Sequence, residues 1–166
     1  TTSDFAAALA AAGGSEATAT PAASRPTGGY GRVEPPAALA AYGNGRVPPD
    51  ALAPLGIGSH RLFQPAADAF SSMRADAAAA GIAIGITDSY RTYDAQVRLA
   101  EEKGLYRDGG LAAVPGTSNH GWGLAVDLDL DDRALQWMRE NGSRYGFVED
   151  TPREPWHWGY RPATDP

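Results

Sequence analysis

Residues 118–130, SNHGWGLAVDLDL, decide how the chain folds around its chemistry. Side chains alternate across a β-strand, so Leu124, Val126, Leu128 and Leu130 form one apolar face while Gly123, Ala125, Asp127 and Asp129 form the other. The first face belongs to a core. On the second, the small residues Gly123 and Ala125 leave space beside the Asp127 carboxylate. His120 lies an odd number of positions before Asp127, so a continuous strand would point the two to opposite sides. To share a site with Asp127, His120 must sit in a turn ahead of the strand, which Gly121 and Gly123 allow.

A second stretch repeats the pattern about 30 residues on. In EPWHWGY, residues 154–160, alternation puts Trp156 and Trp158 on one face and His157 and Gly159 on the other, again a ligand type beside a glycine. Pro152 and Pro155 argue against a helix here, which excludes the H-E-x-x-H arrangement of helical zinc sites. Two imidazoles and one carboxylate, His120, His157 and Asp127, with Glu154 free nearby, are the parts of a catalytic zinc site with an open fourth position. Glu154 is the candidate base. The same donors could hold Fe(II), but that chemistry favours an H-x-D spacing on a many-stranded barrel, and this chain has H-x6-D and few strands. Asp129, on the Asp127 face, is a candidate to orient an imidazole through its second nitrogen. His60 fits no motif and reads as structural or exposed.

Arg91, in TDSYRTYDAQ (residues 87–96), stands where a strand gives way to a helix, and can pair with a carboxylate or hold a developing oxyanion. The neighbouring elements follow from spacing. Residues 64–81 predict a helix with Pro65 in its first turn, Phe70, Met73 and Ala77 on its inner face and Gly81 at its end. Residues 82–91 predict a strand, 93–103 a helix stopped by Gly104, 105–118 a long loop, and 131–141 a helix opened by acidic residues and closed at Gly142. The fold class is α+β: a small, mainly antiparallel central sheet with helices packed on it. Residues 1–30, rich in Ala, Thr, Gly and Pro, cannot bury enough surface to offset their ordering and read as a flexible linker, with 4–12 a remnant helix at most. Residues 31–166 form the folded domain, beginning with a proline-rich arm.

Composition narrows the function. The net charge of −6 argues against nucleic acid and against a polybasic membrane patch, and no apolar run is long enough to span a bilayer. The absence of cysteine removes disulfides, thiolate metal sites and thiol nucleophiles. A first residue Thr1, with no leader-like segment after it, suggests a processed product or a fragment.

Taken together, S-x-H-x-x-G-x-A-x-D (Ser118 to Asp127), E-P-W-H-W (Glu154 to Trp158) and S-Y-R-T-x-x-x-Q (Ser89 to Gln96) resemble the D-alanyl-D-alanine carboxypeptidase family of zinc peptidases, which includes vancomycin-resistance D,D-peptidases and L-alanyl-D-glutamate endolysins. The resemblance spans residues from about 40 to 162. It implies Zn2+ on His120, Asp127 and His157, on one face of the family's antiparallel sheet. It further implies Glu154 as base and acid, Arg91 on the substrate carbonyl or tetrahedral intermediate, and substrate contacts from Ser118, Gln96 and Ser89. The partner implied is peptidoglycan stem peptide, acted on by a monomer in the cell wall or outside the cell. A zinc-bearing wall-binding module without catalysis is the alternative. The chain departs from many members in reading Asp88-Ser89 where they have Ser-Gly before Tyr-Arg, and in carrying Gly159 after W-H-W. Both departures bear on specificity.

Overall fold

A computed structural model describes residues 33–161, so the expected linker over residues 1–30 lies outside the described residues. The longest helix among the described residues, α1 (Gln64–Ala79), takes Pro65 in its first turn. It ends as its sequence predicts: Gly81 adopts φ +72, and the amides of Gly81 and Ile82 close onto the carbonyls of Ala78 and Ala77. Helix α2 (Tyr93–Lys103) is opened by the Thr92 hydroxyl, which accepts from the Ala95 amide, and stopped at Gly104. Helix α3 (Asp132–Asn141) is capped by the Asp131 carboxylate, which accepts from the Ala134 amide at 2.7 Å.

Among the described residues six strands form two sheets. β1 (Ala53–Pro54) and β2 (Arg61–Leu62) make a two-stranded antiparallel ribbon. β3 (Gly85–Asp88), β4 (Ala125–Asp129), β5 (Phe147–Val148) and β6 (His157–Tyr160) make the central sheet in the order β3-β4-β6-β5, antiparallel at each pairing. The ribbon and β5 went unpredicted because two-residue strands carry too little alternation to be seen. β3 begins three residues later than expected, at Gly85, where a Cβ would stand 3.0 Å from that of Asp129 on the paired strand.

One face of the sheet is the core. Val126, Leu128 and Trp158 pack with Phe70, Met73 and Ala77 of α1 and Met138 of α3, all nearly inaccessible to solvent. The proline-rich arm adds a smaller cluster, Leu39, Val47 and Leu52, against Phe63, Tyr90 and Trp122. Trp122 therefore joins the arm to the main core. The register sets Asp127 directly opposite His157, and Val126 opposite Trp158, so one strand pair delivers two ligand types to one face and two core residues to the other. A register shift between Ile86 and Asp88 brings Asp88 opposite Asp127 on the other edge.

Candidate metal centre

His120 occupies a 3₁₀ turn, Asn119–Trp122, immediately before β4, as the odd spacing requires. The turn is held from several sides. Ser118 caps it, its hydroxyl accepting from the His120 amide, while the arm donates from Asn44 Nδ2 to the Ser118 carbonyl and from the Gly45 amide to the Gly121 carbonyl. Arg91 N donates to the His120 carbonyl. Gly123 ends the turn at φ +67, and a Cβ there would stand 2.6 Å from the Phe63 amide nitrogen. This glycine is thus required by backbone conformation and by the close approach of β2, and leaves no substrate-sized gap.

Three donor atoms converge. His120 Nε2 lies 3.2 Å from His157 Nδ1 and 3.3 Å from Asp127 Oδ1, and His157 Nδ1 lies 3.1 Å from the same oxygen. A tetrahedral ion with bonds of about 2.0–2.1 Å spaces its ligands about 3.3 Å apart, so this triangle fits such an ion without rearrangement. Among the described residues these three form the group able to hold a metal.

Each ligand is oriented from behind. The His120 Nδ1–H donates to the Ser89 carbonyl at 2.7 Å, which leaves Nε2 free for an ion. Arg91 Nη2 donates to Asp127 Oδ2 at 3.3 Å, turning Oδ1 toward the imidazoles. His157 Nε2 faces Asp150 Oδ1 at 3.4 Å. Asp150 takes the part expected of Asp129, which is exposed on the strand beside Gly85. Sequence reading missed Asp150 because it lies seven positions from His157 on a different segment. The overlooked signal was Gly159: an isolated glycine in a strand marks a close approach, and a Cβ there would sit 2.3 Å from Asp150 Oδ2.

The electrostatics follow from burial and these contacts. Burial alone would raise the Asp127 carboxyl, but the imidazoles of His120 and His157 outweigh it and hold Asp127 far below the usual carboxylate range. Burial would likewise lower the His157 imidazole; its contacts with the Asp127 and Asp150 carboxylates, which accept from the ring, prevail and push it up to about 9. A metal entering this centre therefore displaces a proton.

Glu154 is buried, and its Oε1 has no hydrogen-bonding partner among the described residues. Burial pushes its pKa upward, reinforced by the negative charge of Asp127 and opposed by His157. The preceding Arg153 holds φ +68, a strained conformation outside glycine, and its guanidinium lies 4.1 Å over the Tyr106 ring. Tyr106 in turn donates to the Pro152 carbonyl, tying the long loop to the Glu154 segment.

A cavity of about 280 Å³ opens over the centre, lined by His120, Asp127, His157, Glu154, Arg91 and Ser118 among others. Trp156 lies on its wall and is 38% exposed, whereas alternation had placed it beside the buried Trp158. The strand begins only at His157, after the turn imposed by Pro155, so alternation does not reach Trp156. Ser89 and Gln96, expected to touch substrate, are buried and engaged within the protein. Ser89 Oγ lies 3.0 Å from His60 Nδ1 and accepts from the Arg61 amide. Gln96 Oε1 accepts from Arg91 Nη1 at 2.7 Å while its Nε2 donates to the Ala113 carbonyl. Arg91 also donates from Nε to Asp88 Oδ2 at 2.8 Å, so the Asp88 departure supplies its counter-charge.

Comparison with known proteins agrees with this geometry. Residues 59–163 match the family model described as VanY, D-alanyl-D-alanine carboxypeptidase. A D-alanyl-D-alanine carboxypeptidase of Enterococcus faecalis is 33% identical over 122 residues, covering 56% of this chain and 44% of that protein. Solved structures of similar fold include VanYB in complex with D-alanine-D-alanine, at TM-score 0.58, 28% identity and coverage of 66% of this chain and 76% of that one. A VanY D,D-pentapeptidase variant in complex with Zn(II) superposes at TM-score 0.57 and 28% identity, covering 66% of this chain and 77% of that one. The chain spans about half the length of the sequence relatives it matches. With the motifs, the antiparallel sheet and the match over residues 59–163 in agreement, the chain belongs to the VanY D-alanyl-D-alanine carboxypeptidase family.

Proposed function

We propose that this protein is a zinc-dependent peptidase that hydrolyses peptide bonds involving D-amino acids in peptidoglycan stem peptides, as a D,D-carboxypeptidase or an L-Ala-D-Glu type endopeptidase. The observation that carries the reading is the triangle of His120, Asp127 and His157 donor atoms beside the buried Glu154, whose Oε1 has no hydrogen-bonding partner among the described residues. A metal kept only for structure would leave that carboxylate without a task, which disfavours a non-catalytic wall-binding module. A peptidoglycan substrate would put the work outside the cell, at the wall.

His120, Asp127 and His157 would hold the zinc, which when bound lowers the pKa of water and polarises a carbonyl. The chain's own residues do the rest. Glu154 accepts a proton from the attacking water and passes it to the amine nitrogen of the departing residue; its raised pKa suits both transfers. Arg91, held by Asp88 and Gln96, keeps Asp127 in place and presents positive charge where the oxyanion develops. Trp156 and Leu111, both exposed on the cavity wall, supply apolar surface for the peptide, with Ser118 as a polar contact.

Mass spectrometry of products from a defined muropeptide tests the proposal. The expected result is release of a D-amino-acid-containing product, abolished by a chelator and restored by zinc. An intact muropeptide in the presence of zinc-loaded protein would contradict it.

A further inference from the structure

The strand that carries His157 has a gap in its side-chain pattern, and the gap is filled from another segment. A Cβ on Gly159 would meet Asp150 Oδ2 at 2.3 Å and its Cγ at 2.9 Å, so the carboxylate occupies the volume that any other residue would claim. Asp150 is 7% exposed at its side chain and has two further partners. Arg161 Nη2 donates to Oδ2 at 3.0 Å, and the Thr151 hydroxyl donates to Oδ1 at 3.3 Å. The Oδ1 atom faces His157 Nε2, on the far side of the ring from the metal-facing Nδ1.

We infer that Asp150 is the positioning residue of His157, and that Gly159 is the residue that admits it. A ring held at Nε2 by an anchored carboxylate is fixed in tautomer and rotation, so Nδ1 is presented without a search among rotamers. Arg161 keeps the carboxylate itself from turning away, and the arrangement spans two loops and one strand. A chain with a larger residue at position 159 cannot place a carboxylate there, so this residue pair is a coupled choice rather than two independent ones. This rests on the metal-site reading above.

The test compares full-length wild-type protein with Asp150→Ala, Asp150→Asn, Gly159→Ala and the Asp150→Ala/Gly159→Ala double variant, with zinc affinity read by competition against a chromogenic chelator. Asp150→Ala is expected to weaken zinc binding by about 10–100-fold. Asp150→Asn, which keeps an oxygen acceptor, falls between it and wild type. Gly159→Ala weakens binding in the same direction, and adds little once Asp150 is already alanine. Met138→Ala, a core change away from the site, serves as the control: it lowers the melting temperature and leaves zinc affinity unchanged. In metal-free protein, nitrogen NMR should show a His157 Nε2–H protected from solvent exchange, with protection lost in Asp150→Ala. Wild-type zinc affinity and an unchanged ring signal in Asp150→Ala would overturn the inference, as would equal zinc loss in Met138→Ala. A wild-type protein that takes no zinc would contradict the peptidase reading, while the ring signal would still decide the role of Asp150.

Discussion

His120 and His157 reach one centre by different means. His120 is set by backbone: a 3₁₀ turn fixes its Cα, the Ser89 carbonyl holds its ring, and the amides of Arg91 and Gly45 pin the turn. His157 is set by side chains: its strand register places it opposite Asp127, and the Asp150 carboxylate stands behind its ring. Backbone support cannot be removed by truncating a side chain, so the first half of the site is the harder to loosen while the fold stays intact. The second half can be loosened with the fold intact.

The largest expected effect breaks the first half. Gly123→Ala forces a Cβ toward the Phe63 amide at a residue with φ +67 and should cost about 2–4 kcal/mol, read by denaturant unfolding, with loss of metal binding in parallel. A stability cost without metal loss would separate the turn from the site. A smaller effect comes from Asn44→Ala, which removes one hydrogen bond to the Ser118 carbonyl. About 1 kcal/mol of stability should go, with zinc affinity nearly unchanged, because the Gly45 and Arg91 backbone bonds remain.

The smallest effect is graded by pH. In metal-free protein the His157 imidazole is raised from its usual 6.5 to about 9, so its stabilising contribution is fully present below pH 6.5 and disappears as pH climbs through 9. Calorimetry of chelator-treated protein should show the melting temperature falling over that window. Zinc affinity should move oppositely, rising with pH toward 9 as the competing proton leaves. A flat profile for both would mean that the Asp127 and Asp150 contacts do not hold a proton on His157.

The candidate ligand group was legible because chemistry and periodicity agree there. The seven-residue separation of His120 and Asp127 forces a turn, and the turn is present. The apolar alternation of β4 assigned its core face, and Val126 and Leu128 are buried. What stayed hidden was what fills space. Gly123 and Gly159 suggest open space beside Asp127 and His157, yet one is filled by the backbone at Leu62 and Phe63 and the other by Asp150. Glycine signals an approach without naming what approaches, since the neighbour comes from a distant segment. Ser89 and Gln96 illustrate the same limit: the motif marks them, but only the fold shows Ser89 serving His60 and Arg61 and Gln96 serving Arg91. The Asn44 turn, in an arm that looked irregular, supports His120 through contacts 74 residues apart, beyond any local pattern.

The central claim is that Glu154 moves the proton while the three ligands hold the metal. Replacing Glu154 by Gln and measuring zinc content and muropeptide turnover on the same sample tests it most directly. One zinc per chain should remain, with turnover lower by roughly 10²–10⁴-fold. Turnover at the wild-type rate, or loss of the metal with the carboxylate, would contradict the account.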